Sequence, residues 1–438
     1  MATVAILGGG LAGLAAATAL GKAGYDVDLY EARAFLGGRA TSWPVGTGEE
    51  AEMVDNCQHV LLRCCVNLLD LYKRLGVQDK VRFYKEFCFI EPGGRRSYMK
   101  RGMLPAPAHF AGSFLGLRYL GLGDKFAIAR AMNAIPGELK SRRDLDQISM
   151  LDWLKEKKQP ARAIERYWRQ VLVSAINEEL DLMAASHGFQ VFWLGMIAKA
   201  DSYEMGVPDV PLRELYDQKS LPPNVKIHER SAITAIETEH GSVTGIVAGG
   251  LRRGADYYLS CLPFERLQSL LPELPVDWAA FSHSPITGIH LWFDRAITDL
   301  PHATLLDRTI QWFFNKSEGR YVQLVVSASR SLTEMPRQEV IDLAVKELAE
   351  FFPAVREATL EKAQVIKEIR ATFSARPGLE AKRPPSPTRY RNLFLAGDWT
   401  RSGWPATMEG AVRSGYLGAE AVTRANGAAC SFLLPDIA

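Results

Sequence analysis

Gly8, Gly10 and Gly13 form a Gly-x-Gly-x-x-Gly run in "TVAILGGGLAGLAAATALGKAGYDVDLYEA", and Glu31 follows on the far side of a helix-length stretch. Residues of these types at this spacing bind a dinucleotide. Gly8 permits a tight turn, and Gly10 lets a pyrophosphate approach the backbone of Gly10, Leu11 and Ala12. Gly13 lets a helix pack close against the preceding strand while its N-terminus faces the phosphates. Glu31, with Ala32 beside it, ends a second strand where a carboxylate accepts hydrogen bonds from an adenosine ribose. A second constellation lies in "NLFLAGDWTRSGWPATMEGAVRSG". Gly397 and Asp398 follow an apolar strand there, and a Gly-Trp-Pro turn carrying Trp404 leads into a helix expected from about Ala406. Asp398 is placed to bond a ribityl hydroxyl. The helix start, with Thr407, Met408 and Glu409, would aim its positive end at a flavin's pyrimidine ring and stabilise the negative charge of the reduced form. A nicotinamide cofactor needs no such second site, so the cofactor expected is FAD.

Elements from both ends of the chain must therefore meet. The expected fold class is a discontinuous, Rossmann-like α/β FAD-binding domain with an α+β substrate domain, an arrangement that resembles the glutathione-reductase-type and amine-oxidase-like flavoproteins. The FAD domain is expected over 1–67, 220–275 and 388–427, its middle part read from the alternating "NVKIHERSAITAIETEHGSVTGIVAGG" with a hairpin at Gly241. Residues 68–219 and 276–387 form the substrate domain. The first of these read as mostly helical, with Ser149 before "MLDWLKEKK", Pro160 before "ARAIERYWRQVL", and Asp181 before a long apolar segment. The second reads as strands between 284 and 330, then a helix from Leu332, then a strand near 364–372.

The 438 residues exceed what one core usually organises. A net charge of +2 gives no case for nucleic-acid binding. Six cysteines without metal-ligand spacing point to reduced thiols, a cytoplasmic setting and no metal site. Residues 108–132 set Phe, Leu and Tyr beside Arg118, Lys125 and Arg130, as helices at a membrane surface do, so peripheral contact with the cytoplasmic membrane face is expected there.

Beyond its glycine run, "EARAFLGGRATSW" resembles the extension found in FAD enzymes of the amine oxidase and phytoene desaturase superfamily. The resemblance implies that Gly37 and Gly38 turn the chain, that Arg39 neutralises pyrophosphate, and that Ala232 touches the adenine through its backbone. More closely, "VDNCQHVLLRCCVNLLDLYKRLGV" and "ATFSARPGLEAKRPPSPTRYRNLFLAGDWTRSGWPATMEGAVRSGYLGAEAV" are similar to the hydroxysqualene dehydroxylases of hopanoid-making bacteria, also called squalene-associated FAD-dependent desaturases. Arg63, where a small residue is usual, and a short stretch between Leu215 and Pro223 depart from that pattern.

The resemblance implies reduction of hydroxysqualene to squalene. That reaction needs hydride from reduced flavin, an acid for the departing hydroxyl, and a dry aromatic-lined tunnel. Gln58 and His59 follow the block expected beside the flavin, His59 either as proton donor or as a hydrogen-bonded structural histidine packed beneath the flavin. Trp404 supplies an aromatic wall, and Asp55, Tyr203 and Asp201 are weaker acids. Alternatives are a polyprenoid desaturase running the flavin in the oxidising direction, an amine oxidase, and, from another class, an FAD-free prenyl-binding carrier. The partner expected is a long apolar isoprenoid; no electron donor is assigned.

Overall fold

The computed structural model describes residues 1–46, 51–216 and 218–437. The short stretch read between Leu215 and Pro223 includes residue 217, which lies outside the described residues.

A five-stranded parallel sheet forms the cofactor half, in the order Val225–His228, Asp26–Tyr30, Thr3–Leu7, Tyr257–Ser260, Leu393–Leu395. Its strands are short, and all but the edge strand Val225–His228 are mostly buried, because helices cover the sheet and leave little alternation. The opening helix, Leu11–Lys22, is buried along nearly its whole length. It packs on the C-terminal helix, Met408–Ala425, so closely that a Cβ at Gly415 would lie 2.2 Å from the Ala12 carbonyl oxygen. This contact fastens the two ends of the chain together beneath the sheet. The hairpin of Ile233–Glu239 with Ser242–Ala248 turns through His240 and Gly241, both at positive φ, as its twist requires.

A seven-stranded sheet carries the other half, in the order Leu360–Phe373, His283–Phe293, Tyr321–Ser327, Trp312–Ser317, His302–Leu305, Glu86–Ile90, Arg96–Lys100. All neighbours are antiparallel except the pair His302–Leu305 and Glu86–Ile90. Helices between residues 111 and 197 close over one face. Ser149 caps Met150–Glu156 by accepting from the Asp152 amide, as its residue type predicts. Two segments expected as plain helices contain π-helical turns, Ile164–Trp168 and Trp193–Ile197. The first turns Tyr167 and Trp168 into the aromatic core around Trp153 and Phe192, and the second buries Leu194, Met196 and Ile197.

The expected boundary at 67/68 needs correction. Helix Val66–Leu75 buries Leu68, Leu71, Tyr72 and Leu75 in the core beneath the parallel sheet, beside Leu212, Leu215 and Tyr216. These pieces pack with the cofactor half although they had been expected in the other.

Lys125 also departs from expectation. It is buried, and its Nζ donates to the Leu115 carbonyl at 2.7 Å, tying Ala111–Leu115 to the helix Leu122–Ser141. A lysine spent in this way is unavailable to a lipid headgroup. Arg118 and Arg130 remain exposed.

Candidate FAD-binding and substrate site

The glycine turn is built to a tolerance that its residues explain. A Cβ at Gly13 would lie 2.0 Å from the Gly8 carbonyl oxygen, so the opening helix can pack here only without a side chain. At Gly10 the surroundings are open, and a Cβ would meet only the Gly38 Cα, at 3.8 Å. Gly37 bonds its amide to the Gly9 carbonyl at 2.9 Å, which fastens the second glycine pair, Gly37–Gly38, onto the first. The space beside Gly10, walled by Gly38 and the amides of Leu11 and Ala12, suits a pyrophosphate.

Glu31 ends its strand buried, one oxygen accepting from the Gly9 amide at 2.8 Å and the other from the Arg33 amide at 2.9 Å. Each oxygen keeps a lone pair for a ribose hydroxyl. Ser231 donates to the Glu31 carbonyl at 2.8 Å, bringing Ala232 to the same end of the sheet as Ala32. Arg39 and Asp398, assigned to different parts of the cofactor, form one ion pair with Nη2 to Oδ1 at 2.6 Å, and Arg39 also donates to the Ala371 carbonyl. Gly397 at positive φ presents its amide to Ser414 Oγ at 2.8 Å and sets Asp398 at the end of the strand.

The C-terminal helix begins at Met408, two residues later than expected, because Thr407 caps it by accepting from the Gly410 amide at 3.0 Å. Thr407 and Met408 then line an apolar cavity together with Gln58 and Trp404. The cavity continues between Leu61, Leu62, Phe87, Phe89, Ile176, Leu194, Met196, Met205, Trp312 and Phe314. Its floor is one face of the seven-stranded sheet and its roof is helical.

Glu409 is a different matter. Although it borders the cavity, its fully buried carboxylate accepts from the Leu68 amide at 2.7 Å, and from the Asn67 side chain and amide at 2.9 and 3.2 Å. It caps the helix Val66–Leu75 and locks that helix to the C-terminal one. Burial pushes its carboxyl above the usual range, and the bonds from Leu68 and Asn67 only partly offset this.

The expected acids are placed unfavourably for proton donation. His59 is not among the residues lining the cavity, and its Nδ1–H donates to the Cys57 carbonyl at 2.9 Å. Burial lowers its pKa below the ordinary histidine range. Asp55 is buried behind the cavity, accepting from Ser42 Oγ at 2.8 Å and the Leu212 amide at 2.9 Å. Tyr203 donates to the Lys85 carbonyl at 2.7 Å and accepts from the Arg101 amide at 3.0 Å, a buried strut. Asp201 lies on the surface. Arg63 stacks 3.9 Å above the Phe83 ring and pairs with Glu204 at 2.5 Å, so it packs across a small sheet.

Lys316 was not singled out from the sequence. Its Nζ lies 3.0 Å from Gln58 Oε1 and 3.3 Å from Asp55 Oδ2, fixing the Gln58 carboxamide at the cavity wall. The signal available was alternation: Trp312 and Phe314 face the cavity, and Lys316 ends the same stripe. Among the described residues, no group of three or more His, Cys, Asp or Glu is placed to hold a metal ion.

Known proteins agree with this geometry. The chain is 26% identical to a zeta-carotene desaturase of Synechocystis sp. over 96% of both chains, and 24% identical to a 15-cis-phytoene desaturase of Synechococcus elongatus over 96% of this chain and 95% of that one. An oxidoreductase from Methanosarcina mazei shares its fold with a TM-score of 0.73 at 17% identity, over 94% of this chain and 98% of that one. Residues 11–423 match the family described as flavin containing amine oxidoreductase. That match spans most of the chain and places it in the family: it is an FAD-dependent oxidoreductase of the flavin-containing amine oxidoreductases.

Proposed function

We propose that the protein transfers hydride to or from a long apolar isoprenoid held in the cavity between the sheet and the helices. The observation that carries this reading is the lining, in which Phe87, Phe89, Met196, Trp312, Phe314 and Trp404 surround a space too apolar to favour a charged amine. Bound FAD supplies the two-electron exchange. The chain's own part is to hold the substrate in a dry slot, where Gln58, clamped by Lys316, is one of few polar groups at the wall. Dryness protects cationic character that develops on an allylic carbon.

Two directions of electron flow fit this slot. The names of the relatives favour desaturation of a polyprenoid. The similarity of the 54–77 and 371–422 blocks to hydroxysqualene dehydroxylases favours reductive removal of an allylic hydroxyl. Anaerobic spectroscopy separates them. If the protein dehydroxylates, photoreduced holoenzyme mixed with hydroxysqualene regains the oxidised flavin spectrum and yields squalene, and oxidised holoenzyme is not bleached by phytoene. The reverse pattern identifies a desaturase. No spectral change with either substrate defeats the isoprenoid reading.

Substrates this apolar reside in membranes, and the surface supports docking there. Met103, Leu104, Leu115, Leu122 and Phe126 are more than half exposed, and Lys100, Arg101, Arg118 and Arg130 are exposed around them. Among the described residues no helix is long and apolar enough to cross a membrane, so contact is peripheral in this reading. Replacing Leu122 and Phe126 together by Glu removes roughly 3 kcal/mol of buried apolar surface, which lowers co-sedimentation with anionic liposomes about a hundredfold in partition coefficient. Equal sedimentation of wild type and double mutant refutes the docking face.

A further inference from the structure

The sheet face that floors the cavity is mostly apolar, with Thr304 and Ser327 as its polar lining residues. In the strand register, Trp312 stands opposite both Thr304 and Val325, and these three line the cavity from the same face of the sheet. Thr304 is 1% exposed, and its Oγ1 has no hydrogen-bond partner among the described residues. Two residues along each strand the next row runs His302, Phe314, Gln323, in the same facing sense. Gln323 is fully buried, and neither its Nε2 nor its Oε1 has a partner among the described residues; His302 Nδ1 has none either. Glu409, Asp55 and Gln58 at the same site are, by contrast, paired.

Folded proteins leave few buried polar groups unpaired, and a strand position needing only to pack takes Val in place of Thr. Unpaired groups from three side chains on two adjacent rows of one sheet face, Thr304 lining the cavity and His302 and Gln323 behind it, therefore call for a partner that is not part of the chain. The three groups are a hydroxyl, a carboxamide and an imidazole that burial keeps neutral, with its pKa lowered to about 4. Each can donate and accept, which matches a neutral oxygen and offers no cation to a phosphate or carboxylate.

We infer that Thr304, backed by Gln323 and His302, forms a polar subsite on the cavity floor that binds the hydroxyl oxygen of an isoprenoid alcohol. The inference rests on the reading of the cavity as an isoprenoid site and deepens it: the ligand is a long hydrocarbon bearing one oxygen.

Binding to the oxidised holoenzyme tests it without turnover of the alcohol. Hydroxysqualene and squalene are titrated separately, anaerobically, following the perturbation of the flavin absorbance. Wild type is expected to bind the alcohol about tenfold more tightly than the hydrocarbon, the worth of one neutral hydrogen bond. Thr304→Val, which keeps shape and strand preference, should weaken hydroxysqualene about tenfold and leave squalene unchanged. Thr304→Ser should restore the preference, and Gln323→Met should reduce it. Equal affinities for the two ligands in wild type, or a preference that survives Thr304→Val, overturn the inference, the latter because water then satisfies these groups. If neither ligand binds wild type, the isoprenoid reading itself falls, and the inference with it.

Discussion

A Gly10→Ala variant is expected to fold like the wild type and to purify without colour. Its backbone, at φ −74° and ψ −176°, suits alanine, and the new methyl would meet no protein atom nearer than the Gly38 Cα at 3.8 Å. The methyl therefore occupies only the space where a pyrophosphate closes on the turn. One extra methyl in a filled site costs about 1–3 kcal/mol, or roughly five- to more than a hundredfold in FAD affinity. Gly13→Ala is the contrasting control. Its methyl would lie 2.0 Å from the Gly8 oxygen, so the helix must move, and stability of the apoprotein falls together with FAD binding. Equilibrium dialysis against FAD, with urea unfolding of both apoproteins, separates the two effects. A yellow Gly10→Ala protein that keeps FAD through dialysis would mean that the pyrophosphate lies elsewhere.

The difference between these two glycines indicates what was legible in the sequence. Local mechanics can be read directly. A turn that needs Gly8, a contact that excludes a side chain at Gly13, and an acid one helix and one strand further on are all requirements of neighbouring residues. So is the Ser149 cap. The C-terminal constellation was legible for the same reason, and the meeting of the two ends followed from the shared cofactor. What the sequence concealed depends on pairings between distant segments. Lys125 looks like a surface cation until its partner, the Leu115 carbonyl, folds over it. His59 looks like an acid until burial and the Cys57 carbonyl are counted. Lys316 reaches Gln58 and Asp55 across more than 250 residues, and nothing local to "FFNKS" announces that contact. The unpaired Thr304 and Gln323 are silent in sequence, because a strand with one polar residue ordinarily turns it to water. Their burial is visible only when the helices are in place.

Glu409 gives the second large effect expected. Read from the sequence as a residue at the cofactor, it acts instead as a bolt between two helices, and its removal should destabilise the fold. Glu409→Ala leaves the buried amides of Asn67 and Leu68 without an acceptor at a helix N-terminus. It also takes a carboxylate from beside Arg413, 3.8 Å away. Loss of one partner from such a buried, charge-assisted cluster costs about 3–5 kcal/mol. Glu409→Gln keeps an acceptor oxygen and the shape, and should cost far less. The pH dependence distinguishes this carboxyl from an ordinary surface acid. Because burial raises its folded-state pKa, the folded protein holds this proton more tightly than the unfolded chain does. Its contribution to stability is therefore greatest at low pH and declines as pH rises from the unfolded carboxyl range, about 4.5, through the raised folded value. The glutamine variant lacks this titration. Urea unfolding of wild type and Glu409→Gln across that range should show the wild type losing ground to the variant as pH increases, with a plateau above the folded pKa. A gap between them that stays constant, or that closes with rising pH, would show that the bonds from Leu68 and Asn67 outweigh burial and hold this carboxylate ionised.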